Sequence, residues 1–389
     1  MAYYNTIFNN LLQLIPRHQF QKVVNEYNGD KYVKKLTCWN QLTTLMFAQA
    51  KGKESLRDIE TSLKAQSPKL YHLGLPVIKR STLSDANNKR EYRIFEELFY
   101  SLYERCRDLS PKHKFRFKNE LYSIDATTID LCLTVFPWAK FRKRKGAIKM
   151  HTMLNHNGCI PCAIVVSDGK KSDIKAAKEG AYPIKPDSIY IMDKGYVDFQ
   201  WLWDIKEVGG YYVTRLKNNA CYEVTGQHKP LINKGVREDV FIKMTGVNTS
   251  KKYPDKLRLV RYYDEEKDKE YIFITNLFHL SAKTIAQIYK ARWKIELFFK
   301  WIKQNLKIKS FLGTTKNAVM TQIWVAMSYF LLLAYVKYKT KCDYSILELC
   351  RLIGETLLER MQLIDLLRID PANPPRAPNN ENQLTFSFV

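Results

Sequence analysis

Four residues with reactive or charged side chains lie at helical spacing late in the chain. Tyr289, Arg292, Glu296 and Lys303 belong to the segment YKARWKIELFFKWIK. On a helix that advances 100° per residue they project at about 0°, 300°, 340° and 320°, an arc of roughly 60°. A carboxylate with a cation on either side suits a metal ion bound beside a phosphate backbone. We therefore predict that Glu296 coordinates a metal while Arg292 and Lys303 pair with phosphates.

The other side of the same predicted helix is apolar. Residues that project between roughly 180° and 280° would bury against a core; they are Ile288, Ala291, Ile295, Phe298, Phe299, Ile302 and Leu306. Burial of this face would hold the polar stripe at the edge of a site. A solvated helix face with ordinary charges fits the same residues, so the assignment depends on partners elsewhere in the chain.

The composition indicates a globular protein with a polyanionic partner. Hydrophobic residues make up 46% of the 389 residues, and 63 Lys and Arg face 39 Asp and Glu, a formal charge of +24. This excess favours nucleic acid as the partner. A membrane is the competing polyanion, but the start of the sequence has no signal-peptide pattern. The longest apolar run, 323–336, is shorter than the ~20 residues of a membrane span. We expect a buried core helix there and a cytoplasmic, nucleoid-associated protein.

Eight cysteines are scattered along the chain, which is typical of reduced thiols in a cytosolic protein. Cys159 and Cys162 form one CxxC within an apolar, strand-like run. No second Cys or His pair follows at metal-binding spacing. We interpret both cysteines as structural, with a zinc or redox site as the alternative.

The N-terminal part of the chain has a helical pattern. Apolar residues at spacings of three and four indicate helices over 6–24, 37–49 and 94–107. Ser55 fits the N-cap of a further helix, and a Gly-Leu-Pro turn then leads to Lys79 and Arg80. A helix, a turn and a basic helix are typical of a helix-turn-helix DNA reader, but packing between domains fits equally well. On the first interpretation Lys79 and Arg80 contact DNA.

From Glu120 onward the pattern changes to strands. Strands are predicted over 121–124, 129–135, 148–154, 160–166, 188–192 and 211–216. Three antiparallel strands followed by alternating helix and strand describe a mixed α/β, RNase H-like sheet. In such a sheet Asp125 ends the first strand, Asp193 ends the fourth, and the two ends lie side by side.

The same sequence patterns predict the order of the domains. It comprises a helical DNA-binding and end-recognition domain (1–117), a first part of the catalytic core (118–216), a β-rich insertion (217–271), a second part of the core with the Glu296 helix (272–340), a helical C-terminal segment (341–368) and a disordered tail rich in Pro and Asn (369–389).

Asp125, Asp193 and Glu296 are the acidic residues that this arrangement brings together. Hard oxygen ligands of this kind hold Mg²⁺ or Mn²⁺. Two such ions activate a water or a 3′-hydroxyl and stabilise the leaving oxygen in phosphoryl transfer. Asp130 and Asp198 are nearby acids that rank lower, because neither follows the end of a buried strand.

These motifs resemble the DDE transposases of bacterial insertion sequences, in the branch with the signature Y-(2)-R-(3)-E-(6)-K. Tyr289, Arg292, Glu296 and Lys303 match that signature at every spacing. YSIDATTIDL and IYIMDKGYVDF resemble the two Asp motifs of the family. The resemblance covers about residues 118–340, and the helical region before them is also similar to the preceding domain of such proteins.

The resemblance implies an RNase H fold, a divalent-metal triad of Asp125, Asp193 and Glu296, and a β-rich insertion. It also implies that Tyr289, Arg292 and Lys303 bind phosphates near the transposon end, and we add Lys300 and Lys307 to this set. Excision would pass through nicking, a hairpin and strand transfer. The predicted protein is then a transposase that binds the terminal inverted repeats of its element and acts as a homodimer on DNA.

One feature departs from the family pattern. In better-understood members a tryptophan of the insertion stacks on a flipped base, but residues 217–271 contain no Trp. Tyrosine and phenylalanine residues that could stack instead are Tyr222, Phe241, Tyr253, Tyr262 and Tyr263. The hairpin route therefore stays open.

Further cations are candidates for DNA contact. A predicted loop between strands carries Lys140, Arg142, Lys143, Arg144 and Lys145, which suit a patch along a DNA backbone, or simply a solvated loop. Lys149 and His151 share one face of the next strand. Either could reach DNA, although a structural role fits His151 as well. Lys194, next to Asp193, could touch phosphate.

The C-terminal tail contains one further motif. The peptide Gln383 to Phe388 resembles ligands of the replication sliding clamp, with a Gln anchor and alternating apolar residues.

The alternatives to a transposase are a non-catalytic DNA-binding relic, a domesticated regulator, or a stand-alone metal-dependent nuclease. A relic has no physical reason to keep three mutually repelling carboxylates.

Overall fold

Helices make up the N-terminal part of the chain up to Arg107. The structure is a computed structural model that describes residues 5–70, 73–142, 145–228, 235–306 and 311–368. The helices of this part are α1 (Ile7–Leu12), α2 (Arg17–Glu26), α3 (Cys38–Ala50), α4 (Leu56–Ala65), α5 (Ser67–Leu70), α6 (Arg80–Lys89) and α7 (Arg93–Arg107). Ser55 caps α4 as predicted, since its hydroxyl accepts a hydrogen bond from the amide of Asp58 at 3.1 Å.

A mixed sheet follows. Its strands are β1 (Glu120–Leu131), β2 (Lys140–Arg142), β3 (Lys145–Asn155), β4 (Ile160–Asp168), β5 (Ser188–Met192), β6 (Tyr211–Arg215), β7 (Tyr222–Gln227), β8 (Val236–Met244), β9 (Leu257–Asp264) and β10 (Lys269–Thr275). Strands β1, β3 and β4 pair antiparallel, while β1, β5 and β6 pair parallel. Short helices α8 (Asp173–Lys178), α9 (Phe199–Glu207) and α10 (Val247–Lys252) connect them. The predicted RNase H-like, mixed α/β fold is confirmed.

The prediction that Asp125 ends the first strand is wrong. Strand β1 continues to Leu131, because its other edge pairs with β3 along its length. What ends beside Asp125 is the parallel pairing with β5, whose last register pair is Ile124 with Met192. Asp125 and Asp193 are therefore the next residues on two adjacent strands, side by side as predicted.

The β-rich segment after β6 extends the central sheet. Strand β10 pairs with both β6 and β9, and the strand order continues through β8 to β7. The residues of β10 that pair with β6 are 273–275, in the predicted second part of the core, and they cover an edge of β6 that would otherwise expose unpaired backbone groups. Strands β9, β8 and β7, from the segment predicted as an insertion, continue the same sheet.

The signature residues lie on two consecutive helices, α11 (Ala282–Ala291) and α12 (Trp293–Asn305). The predicted single helix is interrupted at Arg292, which is both the C-cap of α11 and the N-cap of α12. Tyr289 therefore lies in the last turn of α11 and Glu296 in the first turn of α12. The apolar residues Ile295, Phe298, Phe299 and Ile302 are buried as predicted.

The longest helix is α13 (Lys316–Thr340), followed by α14 (Ile346–Thr356) and α15 (Leu363–Leu367). In the described part of the chain, α13 is the one helix long and apolar enough to cross a membrane, but 94% of its most apolar window is buried. Trp324 of α13 packs against Phe99 of α7, with ring centroids 5.2 Å apart. The N-terminal helices therefore share one core with α12, α13 and α14.

The two cysteines of the CxxC have ordinary structural surroundings. Both are half-buried and free, and the thiol of Cys162 donates to the carbonyl of Met153 at 3.2 Å. Burial raises the pKa of each thiol, which disfavours the thiolate that zinc or redox chemistry needs.

Candidate catalytic site

The two aspartates are positioned by the sheet. Every residue of β5 is buried, so the strand is fixed and Asp193 is the first residue beyond it. The carboxylate of Asp193 accepts a hydrogen bond from the amide of Gly195 and caps a short 3₁₀ turn. Asp125 is held by the amide of Ala126, which donates to its Oδ1 at 2.8 Å. Both carboxylates therefore have fixed starting positions on adjacent strands.

Arg292 joins the aspartate of β1 to the glutamate of α12. Its Nη1 donates to Oδ2 of Asp125 at 3.2 Å, and its Nη2 contacts Oε1 of Glu296. The Arg292 side chain is 15% exposed, and its Nε is buried without a hydrogen-bond partner among the described residues. The ring of Tyr289 lies 5.8 Å from the guanidinium carbon. One cation thus neutralises two of the three predicted catalytic acids.

The environment of Asp125 raises the pKa of its carboxyl above the ordinary value of an aspartate. Burial raises its pKa to about 6, although the amide of Ala126 and the charge of Arg292 both act in the opposite direction. Asp193 and Glu296 contribute smaller raising effects as neighbouring negative charges. A cation that replaced Arg292 at this position would keep the carboxylate ionised.

The residue types of the three predicted catalytic acids fit a hard divalent cation. Asp125 and Glu296 already share one positive group, and Asp193 ends the adjacent strand. Across the described residues, no three His, Cys, Asp or Glu side chains are grouped closely enough to hold a metal ion. Because the guanidinium of Arg292 contacts two of these carboxylates, it would compete with a metal held by them.

A cavity of about 350 Å³ opens beside Asp193, between α11, the start of α12 and strands β6, β9 and β10. Its lining combines cations with aromatic rings: Arg215, Lys267, Lys283, Lys290, Arg292, Tyr262, Tyr271, Phe273, Tyr289 and Trp293, with the acids Asp193 and Asp264. Trp293 is 56% exposed. Arg215, Lys283 and Lys290 were not predicted from the sequence; Arg215 could have been found as a cation at the end of a buried strand.

The aromatic residues proposed for base stacking differ in their burial and contacts. Tyr253 is fully buried, so it cannot stack on DNA and that candidate is wrong. Phe241 lies under Lys256, whose ammonium is 4.6 Å from the ring. The hydroxyl of Tyr263 donates to Asp268 at 2.5 Å. Tyr262 is the candidate that lines the cavity beside Asp193.

The predicted phosphate-binding residues of the helices have different exposures. Tyr289 is buried, and its ring packs against Phe273 with centroids 4.8 Å apart. Lys300 is exposed and Lys303 is half-buried on α12. Lys307 lies outside the described residues. Arg292 and Tyr289 thus stand at the cavity, and Lys300 is open to solvent.

The remaining predicted cations occupy the surface or lie outside the described residues. Exposed side chains are Lys79 and Arg80 at the start of α6, Lys140 and Lys145 in the β2–β3 hairpin, and Lys194 next to Asp193. Arg142 ends β2. Lys143 and Arg144 lie outside the described residues, as does the tail peptide Gln383 to Phe388.

The DNA contact predicted for His151 is wrong. His151 is fully buried, its Nε2 is 3.0 Å from Ser167 Oγ, and burial lowers its pKa to about 4. Lys149 on the same strand face is half-buried and pairs with Asp173 at 3.1 Å. On strand β3, Thr152 is the residue that pairs with Asp125. His151 lies on the opposite face of β3, which packs toward α8. His151 is therefore a structural histidine.

Comparison with known proteins identifies the family. The model described as "Transposase DDE domain" matches residues 116–331. The chain belongs to the DDE transposase family. This transposase is also matched over residues 4–76 by a domain of unknown function (DUF4372).

Named relatives agree with that assignment. A Sinorhizobium fredii protein named as a transposase is 32% identical over 79% of this chain and 86% of its own length. A Geobacillus stearothermophilus protein named as a transposase for insertion sequence element IS5377 is 27% identical over 69% of this chain and 70% of its own length.

A cryo-EM structure of a piggyBac transposase synaptic complex with hairpin DNA matches with a TM-score of 0.44 and 13% identity, covering 87% of this chain and 76% of that chain.

The predicted enzyme class is thus confirmed, because the family comprises enzymes that cleave DNA and transfer its strands. Such enzymes generally depend on a divalent metal. The roles assigned to individual residues stay predictions.

Proposed function

We propose that this transposase binds the terminal inverted repeats of its own insertion sequence and performs cut-and-paste transposition at Asp125, Asp193 and Glu296. One observation carries the proposal: Asp125 and Glu296, from distant parts of the sequence, share the cation Arg292, and Asp193 follows the strand that pairs with the strand of Asp125. Mutually repelling acids cost folding free energy unless a cation is present. A site of this kind is suited to binding metal.

The bound metal would be Mg²⁺ or Mn²⁺, in two ions, held by the three carboxylates. When bound, such ions activate the attacking oxygen and stabilise the leaving oxygen. Arg292, released from the carboxylates, would pair with a DNA phosphate at the mouth of the cavity. Tyr289, Lys194, Lys300 and Lys303 would line the path of the backbone. Lys307, outside the described residues, would add to this set.

Excision through a hairpin is part of the proposal, with Tyr262 as the stacking residue. Its ring lines the cavity beside Asp193, together with several cations. Aromatic stacking on a base stabilises binding by about 1–3 kcal/mol. Replacement of Tyr262 by Ala should therefore lower the yield of hairpin more than the yield of the first nick.

Two partners besides DNA are proposed. A homodimer on two DNA ends follows from a reaction that joins both ends of one element. The tail peptide Gln383 to Phe388 would bind the sliding clamp; a peptide of residues 378–389 should then compete with a known clamp ligand, and a lack of competition would remove this partner.

The experiment uses purified full-length protein and a labelled duplex carrying the DNA end that flanks its gene. Reactions contain Mg²⁺, Mn²⁺ or EDTA and compare the wild type with Glu296→Gln and Asp125→Asn. Asp130→Asn is the matched control, because Asp130 is an exposed acid on the same strand as Asp125. It undergoes the same loss of charge outside the site.

We expect metal-dependent nicking at the end and joining to a second DNA, both abolished in Glu296→Gln and Asp125→Asn and retained in Asp130→Asn. Cleavage without end preference or joining would instead favour a stand-alone nuclease. Tight binding without cleavage in either metal would refute the catalytic assignment and favour a DNA-binding relic or regulator.

A further inference from the structure

A basic loop in the N-terminal helical region lies outside the catalytic site. It runs from Asn28 to Lys35, between α2 and α3, within the segment matched by the domain of unknown function. Tyr32 at its tip is 92% exposed. Lys31, Lys34 and Lys35 are exposed beside it. The loop thus presents one aromatic ring among three positive charges.

The backbone of this loop is folded into tight turns. The amide of Lys31 donates to the carbonyl of Asn28, and the amide of Val33 to that of Asp30, each at 3.1 Å. Asn28 and Tyr32 both adopt left-handed φ angles, 52° and 59°. This conformation is unfavourable for a tyrosine. Contacts at the two ends of the loop hold its backbone in place.

Those contacts come from the helices beneath the loop. Gly29 lies so close to them that a Cβ would come within 2.6 Å of Ile94 Cδ1 and 2.7 Å of Cys38 Sγ. Arg90 donates to the carbonyl of Leu36, and its Nη1 donates to Oε1 of Gln41 at 2.9 Å. The loop is anchored at both ends to α3, α6 and α7.

The acidic side chain of the loop points toward the helices, and its lysine side chains are exposed. Asp30, its one acid, points inward, where Oδ1 accepts from the amide of Cys38 at 2.6 Å and lies 3.9 Å from Arg90 Nη2. Lys31 lies over the Tyr32 ring, 5.3 Å from its centroid. Within the described residues, no ion pair involves Lys34 or Lys35. The outer surface of the loop is therefore positive.

A cleft of about 670 Å³ separates the loop from α6. It is lined by the cations Lys31, Lys34, Lys35, Lys89 and Arg90 and by the acids Asp85 and Glu91. Lys79 and Arg80, at the start of α6, are exposed on the same helix. The positive charge therefore continues from the loop to the helix.

We propose that the Asn28–Lys35 loop binds duplex DNA, with its lysines on backbone phosphates and the Tyr32 ring against the sugars of a groove. Regularly spaced phosphates can satisfy three outward ammonium groups at once, and the exposed ring is free to contact the sugars. The inference rests on the proposed function, since it assigns end binding to a surface remote in sequence from the triad. It would give the domain of unknown function a role.

The test measures binding of a labelled 40-base-pair duplex carrying the flanking DNA end, and of a scrambled duplex, by fluorescence anisotropy from 50 to 300 mM NaCl in EDTA. The full-length variants are Lys34→Ala/Lys35→Ala, Tyr32→Ala and Tyr32→Phe. Lys339→Ala/Lys341→Asn is the control for lost charge. Both lysines are exposed at the end of α13, and Asn suits the left-handed conformation of Lys341.

The double lysine variant should bind both duplexes about tenfold more weakly at 150 mM NaCl. The slope of log K against log[salt] should become shallower by about 1–2, because each lost phosphate contact removes about 0.9. Tyr32→Ala should weaken binding severalfold without changing the slope, and Tyr32→Phe should restore it. The control should match the wild type. Circular dichroism checks that each variant is folded.

Two results would overturn the proposal. If the lysine variant keeps wild-type affinity and slope, DNA does not contact this loop, and an acidic protein becomes its better partner. If Tyr32→Ala binds like the wild type, the ring does not enter a groove. Either result leaves the proposed function intact when the wild type still cleaves the end with metal. Absence of both binding and cleavage by the wild type would refute the proposed function itself.

Discussion

Replacement of Arg292 by alanine should make the protein bind divalent metal more tightly while it destroys DNA cleavage. In the structure, the guanidinium contacts both Asp125 and Glu296. A metal held by these carboxylates, as we propose, would have to compete with those two contacts. The alanine variant has no such contacts to break, and its carboxylates are open to a cation.

The size of the effect follows from those contacts. A hydrogen bond between charged groups contributes about 1.5–3 kcal/mol, so two of them oppose metal binding by about 3–6 kcal/mol before compensation. Arg292 regains water or a phosphate when it moves, which returns most of that free energy. We expect a net change of about 1.4 kcal/mol, which is a roughly tenfold lower Kd for Mn²⁺.

The assay titrates DNA-free protein with Mn²⁺ at pH 7.5 and measures free Mn²⁺ by electron paramagnetic resonance. Loss of any nearby positive charge also attracts a cation, so Lys290→Ala is the matched control. Lys290 lies in the last turn of α11 and pairs with Glu266, 2.8 Å away, instead of with the triad. The reasoning is refuted if Arg292→Ala binds Mn²⁺ no more tightly than Lys290→Ala.

Three further predictions concern stability, each measured by urea unfolding. Asp239→Asn should cost about 3–5 kcal/mol, because Arg258 is fully buried and both its Nε and Nη2 donate to that carboxylate at 2.8 Å; a double Asp239→Leu/Arg258→Met variant should recover much of this loss. His156 should lower stability by about 2 kcal/mol between pH 7 and pH 5, because its buried ring has a pKa lowered to about 3 and the unfolded chain takes up the proton first; buried His151 adds a loss of its own, so His156→Gln should reduce the fall in stability by about 2 kcal/mol, and an unchanged slope would contradict the assignment. Trp324→Ala should cost about 3–5 kcal/mol in one cooperative transition, since Trp324 joins α13 to Phe99 of α7; a separate early transition of the N-terminal helices would argue against the shared core.

The sequence alone determined the features that depend on neighbouring residues. Strand β5 is a short, mostly apolar run, so its burial and the position of Asp193 just after it were predictable. The N-cap at Ser55 and the buried face of α12 follow from short-range hydrogen bonds and helical periodicity. The family signature also depends on local spacing, and the resemblance drawn from it agrees with the family that the comparisons show.

Only the tertiary structure decided what depends on segments far apart in the chain. His151 looked accessible by strand alternation, yet helix α8 and strand β4 bury it. Tyr253 and Tyr262 looked equivalent in sequence, and packing placed one in the core and the other at the cavity. Arg292 was predicted to bind phosphate, whereas here it bridges two carboxylates from positions 125 and 296. Sequence periodicity describes which face of an element is apolar, but which element covers that face is set by long-range pairing and packing.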